Sequence, residues 1–387
     1  MIRKQFCSTA KVTEEDILRM QYDDSFNFPV PPRSWKFELG KDLVKPSQVG
    51  KLPTRMRQLH EWYKGQSSEM FAVRYEIKDF GKTDETNAHT MLWIPFKCLY
   101  ELYQQQALDV RIMFLWCLME TQKCNEDPTR EINEIAFLDP CCVNEKVLAN
   151  VDTGRYLYTA FCTLRNKRML LPYNCSDHYV LLEIYLLESS IRVYDSRQRS
   201  ISLIQPLINR LNEIFGYYRK EYPKQHRPFW TDFTVEPVRW IKRQPMENNH
   251  CGFYVMHYIH CYTGDDFTAL RQMEGEIGSE EMLVTEIIAL SEELAGFILD
   301  HIVNEDGEFN ILKVCSVEWS IYMSLGGNMT HQHNVVPYLG SSNLQLSLKF
   351  VARQLADKWK ISKSHHLETP MPLSWTSHPW RKPWSGS

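Results

Sequence analysis

Apolar positions along this chain change period several times, and each change predicts an element. Met56, Leu59 and Trp62 recur at helical spacing from Thr54 onward. Residues 91–95 read as a strand end, 96–106 as a helix, and 109–119 as a second, more buried helix. Residues 155–163 are predicted helical, and 168–172 form a short strand that Pro172 stops. The clearest pair follows. Residues 179–187 are rich in aliphatic side chains, Glu188-Ser189-Ser190 supplies a polar turn, and residues 191–194 alternate as a returning strand. Ile204, Leu207, Ile208, Leu211, Ile214 and Phe215 trace one face of a helix. Residues 233–241 are a strand that Pro237 places at an edge or bulge, and 253–260 are apolar nearly all round, as a buried helix is. Leu283, Ile287, Leu290, Leu294, Phe297 and Ile298 mark a last amphipathic helix ending near Asn304.

On either side of this stretch the pattern weakens. Residues 1–53 read as an N-terminal arm, with one short helix after Thr13 and a Pro-rich linker or surface-hugging segment from 25 to 53. Residues 54–305 form the expected main domain and 306–387 a poorly ordered C-terminal extension, in which Leu344, Leu348, Val351 and Leu355 mark one basic amphipathic helix. From about residue 68 strands and helices alternate.

Composition excludes several classes. A formal net charge of −4 argues against wholesale nucleic-acid binding. The longest apolar run, 112–119, is too short to span a bilayer, so no membrane partner is expected. The N-terminus carries no apolar signal region, and the 11 irregularly spaced cysteines read as reduced thiols of a nuclear or cytoplasmic protein.

Among those thiols Cys251 stands out, because the polar turn Asn248-Asn249-His250 leads into it and an apolar helix follows. A helix N-terminus favours the thiolate, the attacking species. His178 opens the first strand of the hairpin and Asp195 closes the second, so the fold-back brings a carboxylate beside an imidazole and fixes its tautomer. Gln244 is placed to donate an amide N–H to an oxyanion beside the Cys251 backbone N–H. Gly252 would let a substrate backbone approach closely. Taken singly, each residue has an ordinary structural explanation; their order along the hairpin and helix is what points to a thiol hydrolase.

His178-Tyr179-Val180-Leu181-Leu182, Tyr194-Asp195-Ser196, Gln244-Pro245 and Cys251-Gly252-Phe253-Tyr254-Val255-Met256 resemble the ubiquitin-like-protein (SUMO-type) cysteine protease family. Phe137-Leu138-Asp139-Pro140, Leu171-Pro172-Tyr173-Asn174 and Glu292-Glu293-Leu294-Ala295-Gly296-Phe297 extend the resemblance toward plant, transposon-associated members. The resemblance implies an α+β, papain-like fold with a mixed sheet flanked by helices, catalytic His178, Asp195, Gln244 and Cys251, and no cofactor or metal. It further implies cleavage after the C-terminal Gly-Gly of a ubiquitin-like modifier or its conjugates by a monomer. Tyr179 stands where the family carries a tryptophan that clamps the Gly-Gly tail, and Trp240 is a second candidate for that passage. His250 stands where the family commonly has an acid, and the interval from Gln244 to Cys251 is about one residue longer than usual.

Two rivals remain. Cys175 with His178, and His250, Cys251, His257, His260 and Cys261, include zinc-type ligands but lack paired Cys-x2-4-Cys spacing. The other is a mobile-element derivative that binds a ubiquitin-like modifier without cutting it.

Overall fold

The computed structural model describes residues 36–76, 80–82, 89–126, 135–175, 178–223, 231–263 and 281–311. A short helix α1 (Pro46–Val49) and the longer α2 (Thr54–Lys64) come first. The strands β1 (Met70–Glu76) and β2 (His89–Pro95) pair antiparallel as a separate two-stranded sheet. Helices α3 (Phe96–Tyr103) and α4 (Val110–Glu126) lead to β3 (Ile135–Phe137), α5 (Val151–Thr163), β4 (Arg168–Cys175), β5 (His178–Tyr185) and β6 (Ser190–Tyr194). A 3-10 turn (Ile201–Ile204) then runs into α6 (Gln205–Glu221). The chain continues through β7 (Thr234–Pro237), α7 (Cys251–Thr263) and α8 (Val284–Phe297), the last prolonged by a π-helical stretch (Ile298–Val303). The expected helix after Thr13, the one at Leu344–Leu355 and the tail beyond it lie outside the described residues.

The larger sheet runs β3-β4-β5-β6-β7, with β4, β5 and β6 antiparallel and β3 and β7 parallel to their neighbours at the edges. The fold is α+β. Side chains alternate across this sheet into two cores. Leu170, Tyr179, Leu181 and Tyr194 face one, together with the buried residues of α4, α7 and α8. Met169, Leu171, Val180, Leu182 and Val193 face the other, with those of α5 and α6. Cover on both faces explains why 168–172 and 179–187 read as continuous apolar runs rather than alternating ones. Glu183 is the charged exception. It is 2% exposed, and its carboxylate takes Arg168 Nη1 at 2.6 Å and the Tyr194 hydroxyl at 2.8 Å, as a buried charge must.

One sequence expectation is corrected here. Pro172 does not stop its strand, which continues to Cys175 and pairs Pro172 with Leu181. β3 ends at Phe137, opposite Leu170, so β4 has a neighbour on one side only when it reaches the proline. Residues 36–53, read as a linker or a surface-hugging segment, follow the second of those readings. Leu43 and Val44 are fully buried, Leu43 N–H reaches His60 Nδ1 at 3.4 Å, and Gln104 Nε2 donates to Leu43 O at 2.6 Å. At the other end Phe309 and Asn310 are buried past residue 305, with Arg74 N–H bonded to Phe309 O at 3.0 Å.

Candidate active site

β5 and β6 carry the first two groups. Leu181 faces Tyr194 at the end of the ladder, so one step further Val180 lies opposite Asp195. His178 shares Val180's face of the strand and meets Asp195 on the diagonal, within reach of a long side chain. The His178 Nε2 to Asp195 Oδ1 distance is 2.7 Å. Asp195 is pinned as well by its own turn, accepting Arg197 N–H at 2.9 Å and Arg199 N–H at 2.8 Å. The turn closes with Gln198 N–H on Asp195 O at 3.0 Å, which requires Gln198 to take φ +48°.

Cys251 is the first residue of α7 and is 1% exposed. The helix packs on β5, α4 and α8, which fixes its N-terminal end beside the start of the strand bearing His178. The His178 Nδ1 atom is buried and makes no conventional hydrogen bond, so it is the ring nitrogen left to address the thiol. Burial works against a charged imidazole, but the hydrogen bond to Asp195 and the nearby Cys251 side chain outweigh it and hold the His178 pKa above the ordinary histidine value. For Asp195, burial opposes ionisation, and the His178 hydrogen bond and the two backbone donors prevail, holding its pKa below the usual carboxylate value. These shifts favour an imidazolium–carboxylate pair.

Gln244 is buried and tied into the same turn. Its backbone N–H donates to Ser196 O at 2.9 Å, and its Oε1 accepts the Ser196 hydroxyl at 2.9 Å. Its amide nitrogen donates to Asn248 O at 2.7 Å and Asn248 Oδ1 at 2.8 Å. Both amide N–H groups therefore point at Asn248, which also accepts from the Arg197 guanidinium and from His250 N–H at 3.3 Å. Ser196 and Asn248 have no role in the sequence reading. The quoted Tyr194-Asp195-Ser196 run included the serine, but only the fold-back of 244–248 discloses what either residue does.

The secondary positions fall differently from expectation. Tyr179 is 1% exposed and belongs to the core beneath α7, so its ring does not form an open wall of a cleft. Gly252 faces Leu108: a Cβ there would lie 3.0 Å from Leu108 Cδ1 and 3.2 Å from Leu108 Cβ. The space beside it is filled by the protein, so close packing, rather than substrate approach, accounts for the glycine. Trp240 is half-buried at the margin of the same core. Burial lowers the His250 pKa, which favours the neutral ring ahead of the thiol.

The zinc-type residues do not gather. His257 and Cys261 meet each other along α7, with Nε2 to Sγ at 3.7 Å, and burial pushes the His257 pKa down to about 3. His260 instead meets Glu120 at 3.3 Å and Glu293 at 3.9 Å. Those three residues have their ligand atoms within 4.8 Å of one another, but the Lys123 ammonium bridges both carboxylates, at 3.0 Å from Glu120, and supplies the positive charge itself. No helix among the described residues is long and apolar enough to cross a membrane.

Neither a family model nor a curated protein matches the sequence. Solved structures do. A de-sumoylating protease is 15% identical over 66% of this chain and 95% of its own, with a TM-score of 0.41. The C-terminal Ulp1 protease domain in complex with Smt3, the yeast ortholog of SUMO, is 13% identical over 68% of this chain and 98% of its own, with a TM-score of 0.38. The Ulp1-like SUMO protease catalytic domain of Chaetomium thermophilum is 12% identical over 71% and 97%, with a TM-score of 0.37.

Proposed function

We propose that the chain is a cysteine-type peptidase or isopeptidase that cleaves after the C-terminal Gly-Gly of a ubiquitin-like modifier of the SUMO type. One observation carries the chemistry: a buried histidine holds a buried carboxylate at 2.7 Å through one ring nitrogen and lies close enough to a cysteine at a helix start to be influenced by it. The modifier as substrate rests on the sequence resemblance around His178, Asp195, Gln244 and Cys251.

In this reading His178 takes the Cys251 proton and Asp195 stabilises the resulting imidazolium. The thiolate attacks the carbonyl of the terminal glycine, forming an S–C bond and a tetrahedral oxyanion. Collapse breaks the C–N bond as His178 returns the proton to the leaving amine. Water, activated by the now neutral His178, then cleaves the thioester and releases the modifier's carboxylate and the free thiol. For Gln244 to serve the oxyanion it must exchange an Asn248 oxygen for the substrate oxygen, a local rotation of an amide rather than a change of fold.

The Gln244–Asn248 hydrogen bonds also favour a second reading, in which the fold binds a modifier without cutting it. Release of aminocoumarin from C-terminally labelled SUMO and ubiquitin separates the two. The peptidase reading expects turnover by the wild type on SUMO and none by Cys251→Ala. Folded wild type that binds SUMO yet releases nothing would support the binding reading instead.

A further inference from the structure

Asp195, Ser196 and Arg197 follow one another along the turn after β6, and each holds a different part of the site. Asp195 meets His178 at 2.7 Å. The Ser196 hydroxyl donates to Gln244 Oε1 at 2.9 Å, and Ser196 O accepts the Gln244 backbone N–H at 2.9 Å. The Arg197 guanidinium donates to Asn248 O, the same oxygen that takes the Gln244 amide nitrogen. One turn thus restrains the histidine, the glutamine and the carbonyl on which that glutamine rests.

These partners decide which way the Gln244 amide faces. A backbone carbonyl can only accept, so the end of the amide on Asn248 O, three residues before the thiol, is the nitrogen. The opposite end is the oxygen, and it needs a donor. Gln244 and Ser196 are 5% and 1% exposed. Among the described residues the Ser196 hydroxyl is the donor that reaches Oε1. Without that hydroxyl, Oε1 is left buried and unpaired. The two ends of the amide then lose the contact that tells them apart. Orientation matters because a developing oxyanion is stabilised by N–H and repelled by an amide oxygen.

We propose that Ser196 is a positioning residue for the oxyanion donor. Its hydroxyl pins Gln244 Oε1, so that when a substrate oxygen replaces Asn248 it meets the amide nitrogen and never the amide oxygen. The inference rests on the peptidase reading above and gives a role to a residue that reading leaves without one.

A double-mutant cycle on SUMO–aminocoumarin tests it. Ser196→Ala is expected to lower kcat about tenfold, the scale of one hydrogen bond, with KM unchanged. Gln244→Ala should lower kcat roughly 100- to 1000-fold. In that background Ser196→Ala should change kcat by no more than about twofold, because the group it orients is gone. A second probe separates positioning from folding: SUMO with a C-terminal alkyne, in which the Cys251 sulfur bonds to one alkyne carbon and its proton passes to the other, forming no oxyanion. Wild type and Ser196→Ala should capture it at the same rate. An unchanged kcat in Ser196→Ala, a loss of equal size in both backgrounds, or alkyne capture slowed as much as turnover would overturn the proposal while leaving the peptidase intact. No aminocoumarin release by folded wild type would instead remove the peptidase reading and this inference with it.

Discussion

At the scale of single residues, the site depends on one buried charge pair whose two members shift in opposite directions. Asp195 has a lowered pKa, so its share of the stability is present above the ordinary carboxylate range and is lost as pH falls through its folded value. His178 has a raised pKa, so its share is complete below about 6.5, the ordinary histidine value, and is lost as pH rises through its folded value. The pair therefore contributes most between those limits. Asp195→Asn keeps the shape and removes the charge: the excess stability of wild type over variant, read as Tm against pH, should peak in that window and shrink on both sides. Turnover should fall by roughly two to four orders of magnitude. An equal Tm difference at all pH values would mean that the pair is not ionised. The positions of His178, Asp195 and Cys251 were legible in the sequence because each sits at the end of an element with a readable period, whereas Gln244 lies in the loop between β7 and α7. Asn248 was not legible, since its importance comes from a loop that folds back onto an amide, and no periodicity records that.

Elements explain why the thiol is where it is. Helix α7 is apolar nearly all round because β5, α4 and α8 enclose it, and Gly252 lets its first turn close on Leu108. A methyl group there meets the Leu108 side chain at 3.0 Å, so Gly252→Ala should cost about 1–3 kcal/mol of stability from overpacking. Denaturant unfolding checks this, and a double-mutant cycle with Leu108→Ala should recover part of the loss. A fully additive cycle would show that the two residues do not press on each other. From sequence alone the glycine pointed to substrate approach, because Leu108 is distant along the chain and only the packing of α7 before α4 joins them. The β5–β6 hairpin was legible because its partner strand is local, and α6 because one of its faces is apolar. The end of β4 was misread because a proline was taken as a terminator, when the short β3 leaves that part of β4 with one neighbour.

At the scale of the described chain, helices on both faces of the sheet put His178, Asp195 and Cys251 at the joint between two cores, one under α7 and one under α5 and α6. The segment before Thr54 belongs to the first of these. Leu43 is fully buried in it, so Leu43→Ala should cost about 2–5 kcal/mol, measurable as a lowered urea midpoint. A change within about 0.5 kcal/mol, the range of surface substitutions, would restore the linker reading of 36–53. Composition had suggested an arm because prolines interrupt the segment, and two buried residues between them leave no periodic trace.

In the proposed reaction Cys251, beside His178, is the nucleophile for a modifier's C-terminal glycine. The most direct test is to incubate the full chain with SUMO bearing a C-terminal thiol-reactive warhead, then to map any adduct by mass spectrometry. One SUMO per chain is expected, attached at Cys251 and absent from Cys251→Ala. Labelling that persists in Cys251→Ala, or folded wild type that forms no adduct, would contradict it.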